Sequence, residues 1–211
     1  MLPSRLRLRR VFGPLVRWLA GGFVWLGLTP NAISGLAFLI ALSAAIVLIF
    51  WKWYLVFGGL VFIAGLLDGV DGEVARRTHR ASLRGGFVDS MLDRIADVVV
   101  LLPFLWVVNP WPALGPSWWW VFMAISGCVL VSYARSRAQA AGVTDTDVGL
   151  AARSERLFIL VVTSWLVVVN PACPFGGVLL VAVLSHLTVA YRVWYYRREL
   201  HCKGAAKSYT S

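Results

Sequence analysis

Residues 68–97 read DGVDGEVARRTHRASLRGGFVDSMLDRIAD. Two sets of carboxylates stand here at helical spacing: Asp68 and Asp71 three apart, then Asp89, Asp93 and Asp97 four apart. Each set therefore runs along one face of a helix, with a short basic turn between the two helices. Acids packed this way repel one another and stabilise no helix by themselves. Hard divalent cations resolve the repulsion, because carboxylate oxygens suit Mg²⁺, and Mg²⁺ keeps coordination positions open for water or phosphate oxygens. Gly72 and the Gly85–Gly86 pair remove side chains where backbone, metal or phosphate approach closely. Arg76, one turn beyond Asp71, is placed to contact a phosphate.

Outward from this segment the chain is apolar in both directions. Of its 211 residues 59% are hydrophobic and 14% charged, and its mean hydropathy is +0.75. A soluble domain of this length cannot hide that much apolar surface, so lipid is its solvent. Uncharged stretches cover 31–51, 53–67, 98–134, 157–170 and 175–191. The longest is divided by Asn109-Pro110-Trp111-Pro112 through Gly115-Pro116, a turn signal, which makes two segments of it. The expectation is an all-α, polytopic membrane protein with six transmembrane helices.

Three of these segments, 53–67, 98–108 and 157–170, fall short of the roughly 20 residues a span needs. Each must extend into charged sequence at one end. Asp68 and Asp71 are drawn into the second helix, Asp89, Asp93 and Asp97 into the third, and Arg153, Glu155 and Arg156 into the fifth. Charges at that depth are costly in lipid and should face a polar cavity between helices.

Alternating the six helices from a cytoplasmic N-terminus places every Lys and Arg except Lys52 on the inner side, in 1–30, 73–94, 135–156 and 192–211. The positive-inside rule then puts both termini and the acid cluster in the cytoplasm of a multi-pass plasma-membrane protein. The Arg-rich start precedes an apolar segment interrupted by Arg17 with no small-residue cleavage site, so residues 4–27 are expected to form an amphipathic helix lying in the interface. Residues 1–28 are thus the interfacial segment, 29–200 the six-helix domain, and 201–211 a polar, solvated cytoplasmic tail. The net charge of +10 points to anionic headgroups and phosphorylated substrates at that face. Nucleic acid is excluded as a partner, since no basic stripe is interleaved with exposed aromatics in a soluble module. Cys128, Cys173 and Cys202 are odd in number and far apart, which suggests neither disulfides nor a thiolate metal site.

The acid segment resembles the CDP-alcohol phosphotransferases, whose motif is D-x-x-D-G-x-x-A-R, eight residues, then G-x-x-x-D-x-x-x-D. Asp68, Asp71, Gly72, Ala75, Arg76, Gly85, Asp89 and Asp93 meet every fixed position. The resemblance implies that Asp68, Asp71 and Asp89 bind metal, with Mg²⁺ or Mn²⁺ as cofactor and two ions in the site. It implies that Asp93 is the general base and also touches the second metal. Gly72 and Arg76, with Asp68, would hold the cytidine diphosphate of a CDP-linked lipid donor. Thr29-Pro30-Asn31 with Ser34 is similar to the family's opening of the first helix, beside the nucleotide, so Asn31 and Ser34 join that set. A homodimer and contact with membrane lipid are implied as well.

Beyond the motif, Ser132–Ala138, Gly149-Leu150 and Arg153–Leu157 are similar to the branch that uses inositol phosphate as acceptor. There Arg135, Arg153 and Arg192 would grip the phosphate of a small phosphorylated polyol. Positive-inside bias alone also places arginines at such helix ends. Asp97, outside the motif, is either a supporting residue behind the metal ligands or the ion-pair partner of an arginine. His186, Ser185 and Thr188 read as helix-packing hydrogen bonders, and His79 has no assigned role.

The expected reaction is transfer of a phosphatidyl-type group to an acceptor hydroxyl with release of CMP, the acceptor being inositol 1-phosphate. Glycerol 3-phosphate, serine or another small alcohol is the alternative acceptor. A divalent-cation transporter is the rival from another class, but every acid lies near one face and the outer helix halves carry none. A membrane scaffold has no use for the Arg76–Gly85 spacing.

Overall fold

The computed structural model describes residues 11–208 apart from Asp145 and Asp147. The Arg-rich start of the expected interfacial helix and the last three residues of the tail lie outside the described residues. The described α-helices run in the order α1 Gly13–Trp25, α2 Pro30–Trp51, α3 Tyr54–Arg77, α4 Leu83–Leu101, α5 Ser117–Ala140, α6 Arg153–Trp165 and α7 Cys173–Ser208.

Local chemistry explains where these helices start and stop. Thr29 caps α2, its Oγ1 accepting from the Ala32 amide at 3.3 Å, and Pro30 occupies the first turn where no amide donor is needed. α3 ends on Arg76 and Arg77, cations suited to the negative end of the helix dipole. The chain then turns through His79, whose φ of 52° is left-handed, with the Arg80 amide returning to the Ala75 carbonyl. That gives His79 a role the sequence did not supply: it closes the C-terminus of α3. Three residues on, Ser82 caps α4 by accepting from the Gly85 amide at 3.0 Å. At the opposite end of α4 a 3₁₀ turn over Leu102–Trp106 leads into the Pro-rich loop, which Asn109 folds by donating to the Gly115 carbonyl and accepting from the Trp111 amide.

Among the described residues, four helices are long and apolar enough to cross a membrane: Pro30–Trp51, Tyr54–Arg77, Ser117–Ala140 and Cys173–His201. The stretches expected to supply the other two spans lie in α4 and α6, and neither of these helices is long and apolar enough to count with the four. α4 carries five charged residues, and α6, only 13 residues long, opens on Arg153. The last helix differs from the expectation, since it continues through Ser208 instead of giving way to a tail at 201. Glu199, Ala205, Ala206 and Lys207 are good helix formers, and no proline stands in their way.

α2 to α7 share one apolar core that includes Leu48, Phe57, Val100, Phe104, Val121, Leu160 and Val181. Between membrane helices association depends on close packing more than on water expulsion, and small residues supply it. A Cβ at Gly58 of α3 would fall 2.7 Å from Trp165 Nε1 of α6, and one at Gly127 of α5 would fall 2.7 Å from Ser185 Cβ of α7. α1 packs Val16, Leu19, Ala20 and Phe23 onto Ile33 and Ala37 of α2 and Leu67, Val70 and Val74 of α3. Its other face exposes Trp18 and Trp25, amphipathic rings suited to a membrane surface.

Candidate active site

The α3–α4 hairpin brings the two carboxylate sets face to face. Asp68, Asp89 and Asp93 each offer an oxygen, and the three oxygens lie within 4.8 Å of one another. All three are half-buried and form an all-oxygen donor set fit for a hard divalent cation. Asp71 stands beside this trio. It is buried, and its Oδ2 accepts from the Ser34 hydroxyl at 2.6 Å, which links the first turn of α2 to α3. Ser34, Asp68, Asp71, Asp89, Asp93 and Arg153 line one small cavity between these helices.

Arg153, the first residue of α6, enters the same cluster. Its Nη1 donates to Asp68 Oδ1 at 2.6 Å and lies 2.9 Å from Asp93 Oδ1, while its Nε donates to Asp97 Oδ1 at 3.0 Å. Asp97 also accepts from Arg156 Nη2 at 3.4 Å. Asp97 is thus the partner of two arginines, one of the two roles its position allowed. Arg156 is 3% exposed, and its Nε and Nη1 have no hydrogen-bond partner.

A larger cavity of about 370 Å³ opens between α1, α3 and α6. One part of its wall is polar, with Asp68, Gly72, Glu73, Arg76 and Arg17, and the rest is apolar, with Phe12, Val16, Phe62, Leu157, Phe158 and Val161. Arg76 and Arg77 are held over the helix end by Glu73, at 2.8 and 3.0 Å. A Cβ at Gly72 would sit 3.6 Å from Arg76 Nη1, so the glycine leaves that side of the wall open. Arg17 and Glu73 were not singled out from the sequence, although each left a signal. Arg17 is the only charge between residues 11 and 51, and Glu73 stands at i+3 and i+4 spacing from Arg76 and Arg77.

The remaining expected residues lie elsewhere. Asn31, at the start of α2, sits against the start of α4, where a Cβ at Gly85 would meet its Oδ1 at 3.3 Å and Ser82 Oγ at 3.0 Å. Arg192 of α7 is buried, donating through Nε to the Val148 carbonyl at 2.8 Å and through Nη1 to the Val131 carbonyl at 2.6 Å. Arg135 is half-buried in the last turns of α5. Neither lines the two cavities that Arg153 shares.

Comparison with known proteins adds to this geometry. Residues 27–194 match the family described as CDP-alcohol phosphatidyltransferase. An archaetidylinositol phosphate synthase of Pyrococcus horikoshii is 35% identical over 181 residues, covering 83% of this chain and 87% of its own. A phosphatidylinositol phosphate synthase of Mycobacterium marinum is 31% identical over 202 residues, covering 90% and 81%. Among solved structures, the Mycobacterium tuberculosis phosphatidylinositol phosphate synthase with CDP-DAG bound superposes with a TM-score of 0.73 at 26% identity, over 87% of this chain and 94% of that one. The same enzyme in complex with manganese and citrate gives 0.72 at 25% identity, over 86% and 88%.

Proposed function

Because this chain belongs to the CDP-alcohol phosphatidyltransferase family, we propose that it moves the lipid-bearing phosphate of a CDP-alcohol onto a hydroxyl of inositol 1-phosphate, releasing CMP. The observation that carries the reading is the three-carboxylate cluster of Asp68, Asp89 and Asp93 opening beside a cavity with one charged and one apolar wall. An amphiphile with a diphosphate and hydrocarbon chains has the matching shape and polarity.

Asp68, Asp89 and Asp93 would hold divalent cations, with Asp71 next to them, and metal bound there would neutralise the diphosphate oxygens and the charge of the leaving CMP. Mg²⁺ and Mn²⁺ both suit such oxygens. Gly72 and Arg76 give the diphosphate an open helix face and an exposed guanidinium, and Ser34 steadies Asp71. Asp93 takes the proton of the acceptor hydroxyl as its oxygen attacks the lipid-bearing phosphorus; the bond from that phosphorus to the CMP oxygen breaks, and CMP leaves. Arg153, which borders the acids, receives the acceptor's own phosphate, a dianion whose recognition favours guanidinium forks, whereas Arg135 and Arg192 line neither cavity and Arg192 is held on the Val131 and Val148 carbonyls.

In the same reading six helices cross the membrane, α4 and α6 among them, with the site and both termini on the cytoplasmic side. The support is the distribution of basic residues and the placing of every charge of α4 and α6 among other polar groups or at a helix end.

Purified protein incubated with CDP-diacylglycerol or CDP-archaeol and a panel of acceptors, with CMP release followed, tests the assignment. Turnover with inositol 1-phosphate well above that with free inositol, serine or glycerol 3-phosphate is the expected result. A preference for serine would show that the arginines serve topology and that the acceptor is wrong.

A further inference from the structure

Arg153 touches the groups that would hold the metal, although its assigned partner is the acceptor's phosphate. Its Nη1 bridges Asp68 and Asp93, two of the three carboxylates in the cluster. A guanidinium N–H and a divalent cation seek the same oxygen lone pairs, so Nη1 and a bound cation compete for Asp68 and Asp93. The other edge of the same guanidinium is tied differently. Its Nε bonds Asp97, which is 7% exposed and also receives Arg156, so this anchor lies outside the metal-binding trio. One edge is thus tied outside the trio and the other to two of its members. Arg153 also lines both the small acid cavity and the larger one beside Arg76, so there is open space for the side chain to turn into.

We propose that Arg153 is a resident counter-ion of Asp68 and Asp93 that gives them up when divalent cations bind and, still held on Asp97, turns its freed Nη edge to the phosphate of the acceptor. The inference rests on the functional reading above. It adds an order to it: metal loading makes the acceptor site. Metal and phosphorylated acceptor are then positively coupled, each raising the other's affinity by the same factor. Asp97, and Arg156 behind it, are positioning residues that keep Arg153 in reach of both partners.

The test is a Mn²⁺ titration of the purified full-length protein in detergent, read by electron paramagnetic resonance of the free ion. Arg153→Gln, freed of the competing cation, should bind Mn²⁺ about tenfold more tightly or better than the parent, the equivalent of one lost charge-assisted hydrogen bond. An equal or weaker affinity overturns the exchange while leaving the metal site in place. A parent that binds no Mn²⁺, or an Asp68→Ala variant that binds it as well as the parent, removes the metal reading and the exchange with it. Should Arg153→Gln fail to fold, calorimetry of inositol 1-phosphate binding to the parent decides: affinity should rise with saturating Mn²⁺, and Arg153→Lys, which cannot hold Asp97 and a phosphate with one fork, should show a smaller rise. Equal affinity with and without Mn²⁺ in the parent overturns the proposal.

Discussion

Asp68 and Asp93 sit a few ångströms apart and share Arg153, yet they are expected to fail in different ways when altered. Asp93→Asn keeps an oxygen for the cation and for Arg153 but removes the base, so turnover should fall by about 10²–10⁴ with Mn²⁺ affinity largely kept. Asp68→Ala should lose Mn²⁺ binding and, with it, metal-dependent binding of the CDP-alcohol. Equal turnover in Asp93→Asn and the parent, measured as CMP release, would remove Asp93 from the chemistry. At this scale the acids were legible because they lie within 30 residues of one another at helical spacings. Arg153 was legible only as one of three arginines for the acceptor's phosphate; its contact with the acids was not, because it is 85 residues from Asp68 and 56 from Asp97. Nothing in a charge pattern says which of several arginines folds back onto the acids. Asp71 was legible as an acid on the right face, but its bond to Ser34 depends on how α2 crosses α3.

Among the helices, α7 does more than complete the bundle. Thr188, Arg192 and Tyr196 stand four apart on one face. They bind the segment that runs from α5 into α6: Thr188 Oγ1 accepts from the Ala151 amide, Arg192 donates to Val148 O, and the Tyr196 hydroxyl donates to Thr146 O at 3.0 Å. Gly149 meets the same stripe, with a φ of +137° and a Cβ position 2.6 Å from Thr188 Cγ2, so only glycine fits there. Two residues after Ala151 the chain reaches Arg153. Tyr196→Phe should therefore cost about 0.5–1.5 kcal/mol of stability, visible as a lower thermal midpoint. It should also raise the acceptor KM while leaving the donor KM near its parent value, because the loop supports Arg153 and not the larger cavity's apolar wall. An unchanged acceptor KM would detach this loop from the site. The length argument drew Asp68 and Asp71, then Asp89, Asp93 and Asp97, then Arg153, Glu155 and Arg156 into helices, and α3, α4 and α6 contain them. It could not find the docking of residues 146–151 on α7, because bonds to backbone carbonyls leave no mark in side-chain periodicity.

At the scale of the whole molecule, charge is concentrated at one end. The opposite end has Lys52 as its only charge, and even this donates to the Trp106 carbonyl at 3.4 Å. Within the polar end, the cavity between α1, α3 and α6 has an apolar wall continuous in character with the lipid-facing helices, and α1 with Trp18 and Trp25 flanks it. A donor with two hydrocarbon chains has no reason to pass through water to reach such a site; it arrives by sliding sideways within its own leaflet. What the protein counts is then how crowded the donor is in that two-dimensional film, and not how much of it a litre contains. In mixed micelles, adding inert detergent at a constant total amount of donor should slow the reaction as the donor's mole fraction falls. The water-soluble acceptor should follow its ordinary bulk concentration throughout. A rate indifferent to surface dilution would mean that the donor is captured from solution after all.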